Sequence, residues 1–282
     1  MRLARFDDGS GPRPGVILGD RIADVLAADP SLPQDPGLWL GASRRCLGER
    51  LCARVEAAPK LPLADVTLLA PLERPGKILA VGLNYADHAR EMGRTVPAIP
   101  ACFMKPSSAL AGPTADIPHP GFSDTLDYEG ELAIVIGTGG RHLTGDAARA
   151  AIGGYTIAND VSLREFVKPD TLPLGKGLDG FLPLGPWITS ADLVPDPQDL
   201  TIRTFVNGEL RQDGRTGDMA HGVVALVELF SRFMRLEPGD VILTGSPRGS
   251  ATAFDPPRFL QPGDVVEVEL TGLGAIRNRV AD

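Results

Sequence analysis

The sequence predicts an α+β protein in which strands predominate, with a small N-terminal domain over residues 1–69 and a larger domain over residues 70–282. Three observations support this prediction. Short runs rich in Val, Ile and Leu alternate with turns, for which the chain has 33 Gly and 26 Pro residues. Helical spacing of apolar residues occurs in only a few segments. A connector punctuated by Pro, APKLPLADVTLLAPLERPGK, separates the first segment from the rest.

The N-terminal domain begins with a strand-turn-strand pattern over residues 3–6, 15–18 and 22–25. A helix is expected next, because apolar residues then keep helical spacing: Leu40, Leu47, Leu51 and Val55. This domain is therefore predicted to be a small α+β unit.

The larger domain is predicted to consist mainly of antiparallel strands. Asn207-Gly208 lies between two alternating runs, which is a strong indication of a tight hairpin. Pro-Gly-Asp starts a Val/Ile/Leu run twice, after Glu237 and after Gln261. Helices are expected only over 85–92, 145–151 and 222–236, and the apolar stripe of the last one should face the core.

Charge and hydropathy restrict the partners. The chain has 28 Lys and Arg against 36 Asp and Glu, a net charge of −8, and no dense basic cluster. This weighs against nucleic acid or an anionic membrane surface, and favours a small molecule. No apolar run has the roughly 18–20 residues of a membrane span, and the first residues show no secretory signal, so we expect a cytoplasmic protein.

The most informative motif is LDYEGELAIVIG, in which Glu129 and Glu131 precede an apolar strand. Residues two apart on a strand share a face, so both carboxylates point the same way. Asp160 ends another apolar strand, in GYTIANDVS. Three carboxylates without clustered His or Cys favour Mg²⁺ or Mn²⁺, although solvated acids on an exposed strand face remain an alternative.

Basic residues and a histidine supply further candidates. In GLNYADHAREMG, His88 and Glu91 are neighbours on one helix face, either as a general base with its orienting carboxylate or as an incidental surface pair. Single basic residues beside Gly- and Pro-rich turns either serve an anionic site or are solvated charges: Lys105, Arg164 and Lys176. In ILTGSPRGS, backbone N–H groups either bind an oxyanion or form a plain turn.

Taken in order, these phrases resemble the fumarylacetoacetate hydrolase superfamily over residues 75–280. The resemblance depends on the succession of seven motifs: GLNYADHAREMG, FMKPSSALAGP, LDYEGELAIVIG, NDVSLRE, GKGLDGFLPLGPW, the Asn-Gly hairpin and LTGSP. It implies a mixed β-roll, a homodimer, and one Mg²⁺ or Mn²⁺ ion per subunit, with Ca²⁺ as a substitute in crystals. The N-terminal segment is similar to the accessory domain of bacterial two-domain members.

The resemblance also implies roles for individual residues. Metal ligands would be Glu129, Glu131 and Asp160, and the water-activating pair would be His88 and Glu91. Lys176 would stabilise or protonate a carbanionic or enolate species. The remaining residues are expected to contact substrate: Arg164, Lys105, Tyr85, Thr244 and Gly245.

Two positions depart from the family pattern. Arg-Asp-x-Gln usually follows the aspartate ligand, whereas this chain reads Arg164-Glu165-Phe166-Val167, so Val167 replaces a polar side chain. Ser246 replaces the usual threonine in the late turn and keeps the hydroxyl. An apolar Val167 would favour a less polar substrate group at that place.

The activity implied by the resemblance is hydrolysis of a carbon–carbon bond in a β-diketone or acylpyruvate-like 2-oxo acid, in catabolism. The same residues would also serve a decarboxylase, isomerase or dehydratase of 2-oxo acids. A noncatalytic descendant of such enzymes is the third alternative. Its expected signature is loss of the base or the lysine, and this chain keeps both.

Overall fold

The structure, a computed structural model, describes residues 1–40 and 44–282. Strands predominate in the described part, as the sequence predicts. The first strands are β1 Arg2–Asp7, β2 Arg13–Leu18, β3 Arg21–Ala23, β4 Lys60–Pro62, β5 Thr67–Leu69, β6 Ile78–Gly82, β7 Ala101–Lys105, β8 Leu110–Ala111 and β9 Leu126–Asp127. The later strands are β10 Gly130–Ile136, β11 Ile152–Asn159, β12 Ser162–Leu163, β13 Leu182–Ser190, β14 Thr201–Val206, β15 Glu209–Arg215, β16 Val241–Leu243, β17 Val265–Leu270 and β18 Gly274–Arg279.

Six α-helices lie in the described part: α1 Val25–Ala28, α2 Arg44–Ala57, α3 Ala86–Glu91, α4 Gly145–Ala151, α5 Leu172–Lys176 and α6 Val223–Phe233. The predicted helices 85–92, 145–151 and 222–236 correspond to α3, α4 and α6, with ends that differ by at most three residues. Helix α3 ends before Gly93, which has φ of +66°. Leu47, one of the four residues used to predict the first helix, lies outside the residues whose side chains are described. No described helix has the length and apolar character needed to cross a membrane.

The main sheet runs in the order β4-β3-β2-β1-β13-β11-β10-β16-β6-β7. It is mixed, because β16 and β6 are parallel whereas β10 pairs with β11 antiparallel. Strand β1 pairs with β13, so the N-terminal segment continues the sheet of the larger domain. The domain boundary near residue 70 stays a prediction.

A second sheet, β15-β14-β17-β18, packs on the main sheet. The predicted hairpin at Asn207-Gly208 joins β14 to β15, and both residues have positive φ, +51° and +80°. Both Pro-Gly-Asp phrases lead into strands, β16 and β17.

Strand β10 lies at the centre of the core. All seven of its residues are buried, and alternate side chains enter two different apolar clusters. Leu132 and Ile134 pack with residues of the second sheet and of α6, such as Val268 and Leu226. Ala133 and Val135 pack on the other side. The period of two that places these side chains also fixes the direction of the acids preceding them.

Candidate metal centre

Three carboxylates meet where β10 begins and β11 ends. These strands are antiparallel neighbours with Gly130 opposite Asn159, so the residues just outside the pair are close. The backbone N–H of Asp160 donates to the carbonyl of Glu129 at 2.8 Å. Glu131 lies one residue further into β10, on the same face as Glu129. Sheet register therefore brings Asp160 to Glu129 and Glu131, which lie 31 and 29 residues before it in the sequence.

Gly130 explains why the two glutamates are separated by a residue without a side chain. A Cβ at this position would lie 2.3 Å from Thr204 Oγ1 and 2.8 Å from Val268 Cγ1 on the second sheet. The second sheet thus approaches the opposite face of the strand, and only the glutamate face is open to the centre. The Gly130 N–H donates to Gln212 Oε1 at 2.9 Å.

The carboxylates of Glu129, Glu131 and Asp160, called the carboxylate triad below, offer oxygen atoms that lie within 4.8 Å of one another. All three residues are buried. Burial and repulsion from Asp160 and Glu129 raise the pKa of Glu131 well above its usual range. Positive charge close to Glu131 would lower this pKa.

Three cations surround the triad. Lys176 Nζ donates to Glu129 Oε2 and, at 2.6 Å, to Asp160 Oδ2. Lys105 Nζ donates to Asp160 Oδ1 at 2.5 Å and to the Val161 carbonyl at 3.2 Å. Arg164 Nη2 donates to Glu129 Oε1 at 2.7 Å. The three basic residues singled out in the sequence thus lie together, and none is a solvated surface charge.

These contacts shift the pKa values in opposite directions. Burial by itself would raise the pKa of Glu129, but Arg164, Lys176 and His88 hold it below the usual range. Burial lowers the pKa of Lys105. Burial opposes the charge of Lys176 as well, yet Asp160 and Glu129 outweigh it and raise its pKa. A divalent ion beside Lys176 would lower this pKa, whereas the carboxylates by themselves raise it.

Asp127 is a buried acid that sequence reasoning missed. Arg164 Nε donates to Asp127 Oδ2 at 2.5 Å, while the Ala251 N–H donates to Oδ1 at 2.8 Å. Asp127 therefore holds the guanidinium whose other end contacts Glu129. The available signal was alternation, since Asp127 stands two residues before Glu129 in LDYEGE.

His88 and Glu91 form the expected pair on α3. His88 Nδ1 lies 3.0 Å from Glu91 Oε2, and His88 Nε2 lies on the triad side, 3.8 Å from Glu129 Oε1. The Gly249 N–H donates to both Glu91 oxygens, at 2.9 and 3.2 Å. His88 is buried, which excludes the alternative of an incidental surface pair.

The turn after β16 contacts the triad through its backbone. Gly245 has φ of +85°, and its N–H donates to Glu131 Oε2 at 2.7 Å. The Thr244 hydroxyl donates to the Leu132 carbonyl at 2.9 Å, so it is engaged with β10. Asn84, which the sequence analysis also missed, ties this turn to the segment before α3 by donating to the Thr244 carbonyl at 2.8 Å. Substrate contact by Thr244 and Gly245 stays a prediction.

Tyr85 precedes α3 and is fully buried. Its hydroxyl has no hydrogen-bond partner among the described residues, and burial together with the charge of Glu131 raises its pKa. A buried hydroxyl without a partner beside the centre is compatible with the predicted substrate contact. Val167 is half-buried, and its effect on the substrate stays a prediction.

The donor set fits a small divalent cation. It consists of three carboxylates, which are hard oxygen ligands suited to Mg²⁺ or Mn²⁺. The acids are neither dispersed nor exposed, so the alternative of solvated strand acids is wrong for this chain.

Residues 77–281 match the family model described as fumarylacetoacetate (FAA) hydrolase C-terminal. The chain is 40% identical to the mitochondrial oxaloacetate tautomerase FAHD2B of Bos taurus over 99% of this chain and 91% of that protein. It is similar to a fumarylacetoacetate hydrolase structure from Exiguobacterium antarcticum, with 40% identity, a TM-score of 0.88 and coverage of 100% and 99% of the two chains.

A third similar protein carries a metal. Maleylpyruvate hydrolase from Sphingobium sp. SYK-6, solved in complex with manganese(II) and pyruvate, is 35% identical with a TM-score of 0.82, and the match covers 100% of this chain and 99% of that one. The similar proteins thus include hydrolases and a tautomerase. Each of these three matches covers at least 99% of this chain and so includes the N-terminal segment.

Proposed function

The chain belongs to the fumarylacetoacetate hydrolase family, and on this basis we propose that it is a divalent-metal-dependent hydrolase that cleaves a carbon–carbon bond in an acylpyruvate-like or β-diketone acid. One observation carries the proposal: His88 Nε2 lies 3.8 Å from Glu129 Oε1, so a histidine oriented by Glu91 stands at the carboxylate triad. A general base at a site for a hard metal is what such hydrolysis requires.

Glu129, Glu131 and Asp160 are the residues that would hold Mg²⁺ or Mn²⁺, and the bound ion would polarise a substrate carbonyl and orient the 2-oxo acid. The maleylpyruvate hydrolase with manganese(II) and pyruvate supports this choice of metal and substrate class.

The histidine pair would activate water. With its Nδ1 proton held by Glu91, His88 presents Nε2 as the proton acceptor. The water oxygen then adds to the distal carbonyl carbon of R–CO–CH₂–CO–COO⁻ as its proton passes to Nε2. The Gly249 N–H donates to both Glu91 oxygens, which holds the carboxylate in place and so fixes the orientation of the imidazole.

Lys176 and Arg164 would serve the departing fragment. Cleavage of the bond between the distal carbonyl carbon and the CH₂ leaves an electron pair on the latter, and a nearby cation stabilises it. Lys176 would then donate a proton to that carbon, giving pyruvate. The other fragment leaves as R–COOH and would return a proton to the neutral lysine, giving R–COO⁻. Arginine rarely releases its proton, so Arg164 is assigned to charge stabilisation.

Tautomerisation of a 2-oxo acid is the second candidate, because a relative with 40% identity over 99% of this chain is an oxaloacetate tautomerase. This reaction needs a base and an acid at adjacent atoms, and His88 and Lys176 would supply them without attack by water. A decarboxylase or dehydratase would use the same lysine.

The deciding experiment compares two substrates in ¹⁸O-labelled water, using the Mn²⁺-loaded protein. Hydrolysis of acetylpyruvate should release acetate that contains one solvent oxygen, together with pyruvate. Tautomerisation of oxaloacetate would instead speed the approach to keto–enol equilibrium without incorporating solvent oxygen through bond cleavage. In deuterated water it would exchange a carbon-bound hydrogen with solvent. Fast oxaloacetate tautomerisation without acetylpyruvate cleavage would assign the second candidate.

Removal of metal tests the shared premise. Treatment with EDTA should abolish either activity, and excess Mg²⁺ or Mn²⁺ should restore it. Full activity in the chelator would contradict a metal-dependent reaction. We also propose a homodimer, which light scattering of the purified protein would test.

A further inference from the structure

Asp127 ends strand β9, two residues before Glu129, and it is fully buried. Its two carboxylate oxygens have different partners. Oδ2 accepts from Arg164 Nε at 2.5 Å, whereas Oδ1 accepts from the Tyr128 N–H at 2.7 Å and from the Ala251 N–H at 2.8 Å. Asp127 does not belong to the carboxylate triad. One acid outside the triad therefore joins a cation of the site to a distant segment of backbone.

The Arg164 guanidinium has two anionic partners among the described residues. Nε donates to Asp127, and Nη2 donates to Glu129 Oε1 at 2.7 Å. The same Glu129 oxygen lies 3.8 Å from His88 Nε2. If Asp127 lost its charge, only Glu129 of these two partners would still attract the guanidinium, and the cation would shift toward it. Asp127 thus fixes where the positive charge of Arg164 lies relative to the histidine.

Segment 249–251 is held at both of its ends by two adjacent residues. The Ala251 N–H donates to Asp127, and the Gly249 carbonyl accepts from the Tyr128 hydroxyl at 3.0 Å. Tyr128 is fully buried, as Asp127 is. These contacts span 124 and 121 residues of sequence. The end of β9 therefore sets the position of this segment.

Gly249 transmits the position of the segment to the histidine pair. Its φ is +103°, and a Cβ would lie 1.9 Å from the Arg211 carbonyl, so only glycine permits this close approach of two backbones. Its N–H donates to the two Glu91 oxygens at 2.9 and 3.2 Å. Glu91 Oε2 in turn lies 3.0 Å from His88 Nδ1. A displacement of the segment would therefore change the orientation of the imidazole.

We propose that Asp127 is a positioning residue for the reaction: one oxygen sets the Arg164 guanidinium, and the other sets the segment that orients His88. The inference rests on the proposed function, which assigns these two groups to charge stabilisation and to proton transfer. Asp127 acts on the reacting atoms only through them. A misplacement of about 1 Å in such groups can cost about 10²-fold in rate.

Asp127→Asn tests the contact with Arg164, because the amide keeps the size of the side chain and an oxygen for the Ala251 N–H. With the Mn²⁺-loaded protein and acetylpyruvate, kcat should fall roughly 10–100-fold, whereas KM and Mn²⁺ affinity should stay within a few-fold of the parent. In an Arg164→Met background, the same substitution should lower kcat by less than about threefold, because the group that it positions is already absent. Equal losses in both backgrounds would overturn the inference.

Two further variants test the contact with segment 249–251. Asp127→Ala removes both contacts and should lower kcat roughly 3–10-fold more than Asp127→Asn does. Tyr128→Phe releases the same segment from its other end, should cause a similar loss, and keeps the test decisive if Asp127→Ala does not fold. Neither loss should appear in a Glu91→Gln background. In the metal-free protein, the ¹⁵N NMR signal of His88 Nδ1 should move in Tyr128→Phe, and an unmoved signal would overturn the role of the segment.

Asp240→Asn is the matched control, since it makes the same substitution at a buried aspartate that also accepts from a basic side chain and from backbone N–H groups. It should lower the unfolding temperature but keep the parent kcat and the parent His88 signal. A parent protein that neither cleaves acetylpyruvate nor tautomerises oxaloacetate would overturn the proposed function, and this inference with it. If the parent is active and Asp127→Asn behaves as Asp240→Asn does, only the positioning role is wrong.

Discussion

The carboxylate triad and the turn at Asp240 both bury acidic side chains, but they satisfy them in different ways. Asp240 is 1% exposed and accepts from Lys77 Nζ at 2.8 Å, from the Lys77 N–H at 2.9 Å and from the Glu237 N–H at 2.7 Å. Its donors are one lysine and the backbone of adjoining segments. A single buried acid with this many donors holds the start of β16 in place.

The triad contains three buried acids that face one another. Glu131 receives one backbone donor, the Gly245 N–H at 2.7 Å, and is repelled by Asp160 and Glu129. Repulsion of this kind lowers the stability of the metal-free fold, and proteins retain such arrangements at functional sites. The difference indicates that Asp240 serves the fold, whereas the triad has the donor set of a cation site.

The largest expected effect is that of Glu131→Gln on metal binding. Loss of a charged ligand should weaken Mn²⁺ binding at least about 10²-fold, since even the outer partners of ligands contribute 10–100-fold. Turnover should fall with it. In EDTA the same variant should unfold at the parent temperature or above, because a carboxyl whose ionisation is disfavoured by burial and repulsion is replaced by a neutral amide. Calorimetric titration measures the Mn²⁺ affinity, and thermal unfolding in EDTA measures the stability. A strongly destabilised metal-free variant would show that Glu131 supports the fold as Asp240 does.

His88→Ala should leave the triad intact and remove the base. Hydrolytic kcat should fall roughly 10²–10⁴-fold, the usual contribution of a general base, while Mn²⁺ affinity stays within a few-fold of the parent. Glu91→Gln is the companion variant, since it keeps the shape of the side chain that orients the imidazole. An equal loss of metal binding in His88→Ala would make His88 part of the metal site.

Lys176→Arg tests whether the cation beside the triad transfers a proton. Charge is kept, but a guanidinium holds its proton at accessible pH, so turnover should fall at least about 10²-fold. Oxalate should still bind the Mn²⁺-loaded variant within about tenfold of the parent. Near-normal turnover would leave Lys176 as an electrostatic partner of Glu129 and Asp160.

Asp240→Asn should have the smallest effect on function and a clear effect on stability. The amide keeps the size of the side chain but loses the ion pair with Lys77, so the free energy of unfolding should fall by about 1–3 kcal/mol. Mn²⁺ affinity and kcat should equal those of the parent. Denaturant unfolding checks the first expectation, and a weakened metal site in this variant would remove the contrast between the two regions.

The sequence predicted the parts of this protein that depend on local pattern. Alternation placed Glu129 and Glu131 on one face, and Asn207-Gly208 specified the hairpin, since its turn needs positive φ at both positions. The prediction of three converging carboxylates is confirmed in its geometry, and that of the family by the match over residues 77–281. Roles for these residues in catalysis stay predictions.

Long-range strand pairing determined the contacts that the local sequence pattern does not specify. The register that sets Gly130 opposite Asn159 brings Asp160 to Glu129, and the second sheet explains the glycine between the glutamates. Asp127 and Asn84 were missed because their importance comes from partners far along the chain: Arg164 for the first, and Thr244 for the second. The sequence by itself determined which face of the strand carries the two glutamates, because side-chain direction follows a period of two. Only the tertiary structure decided which charges meet and which remain without partners, because these depend on how the sheets pair and pack.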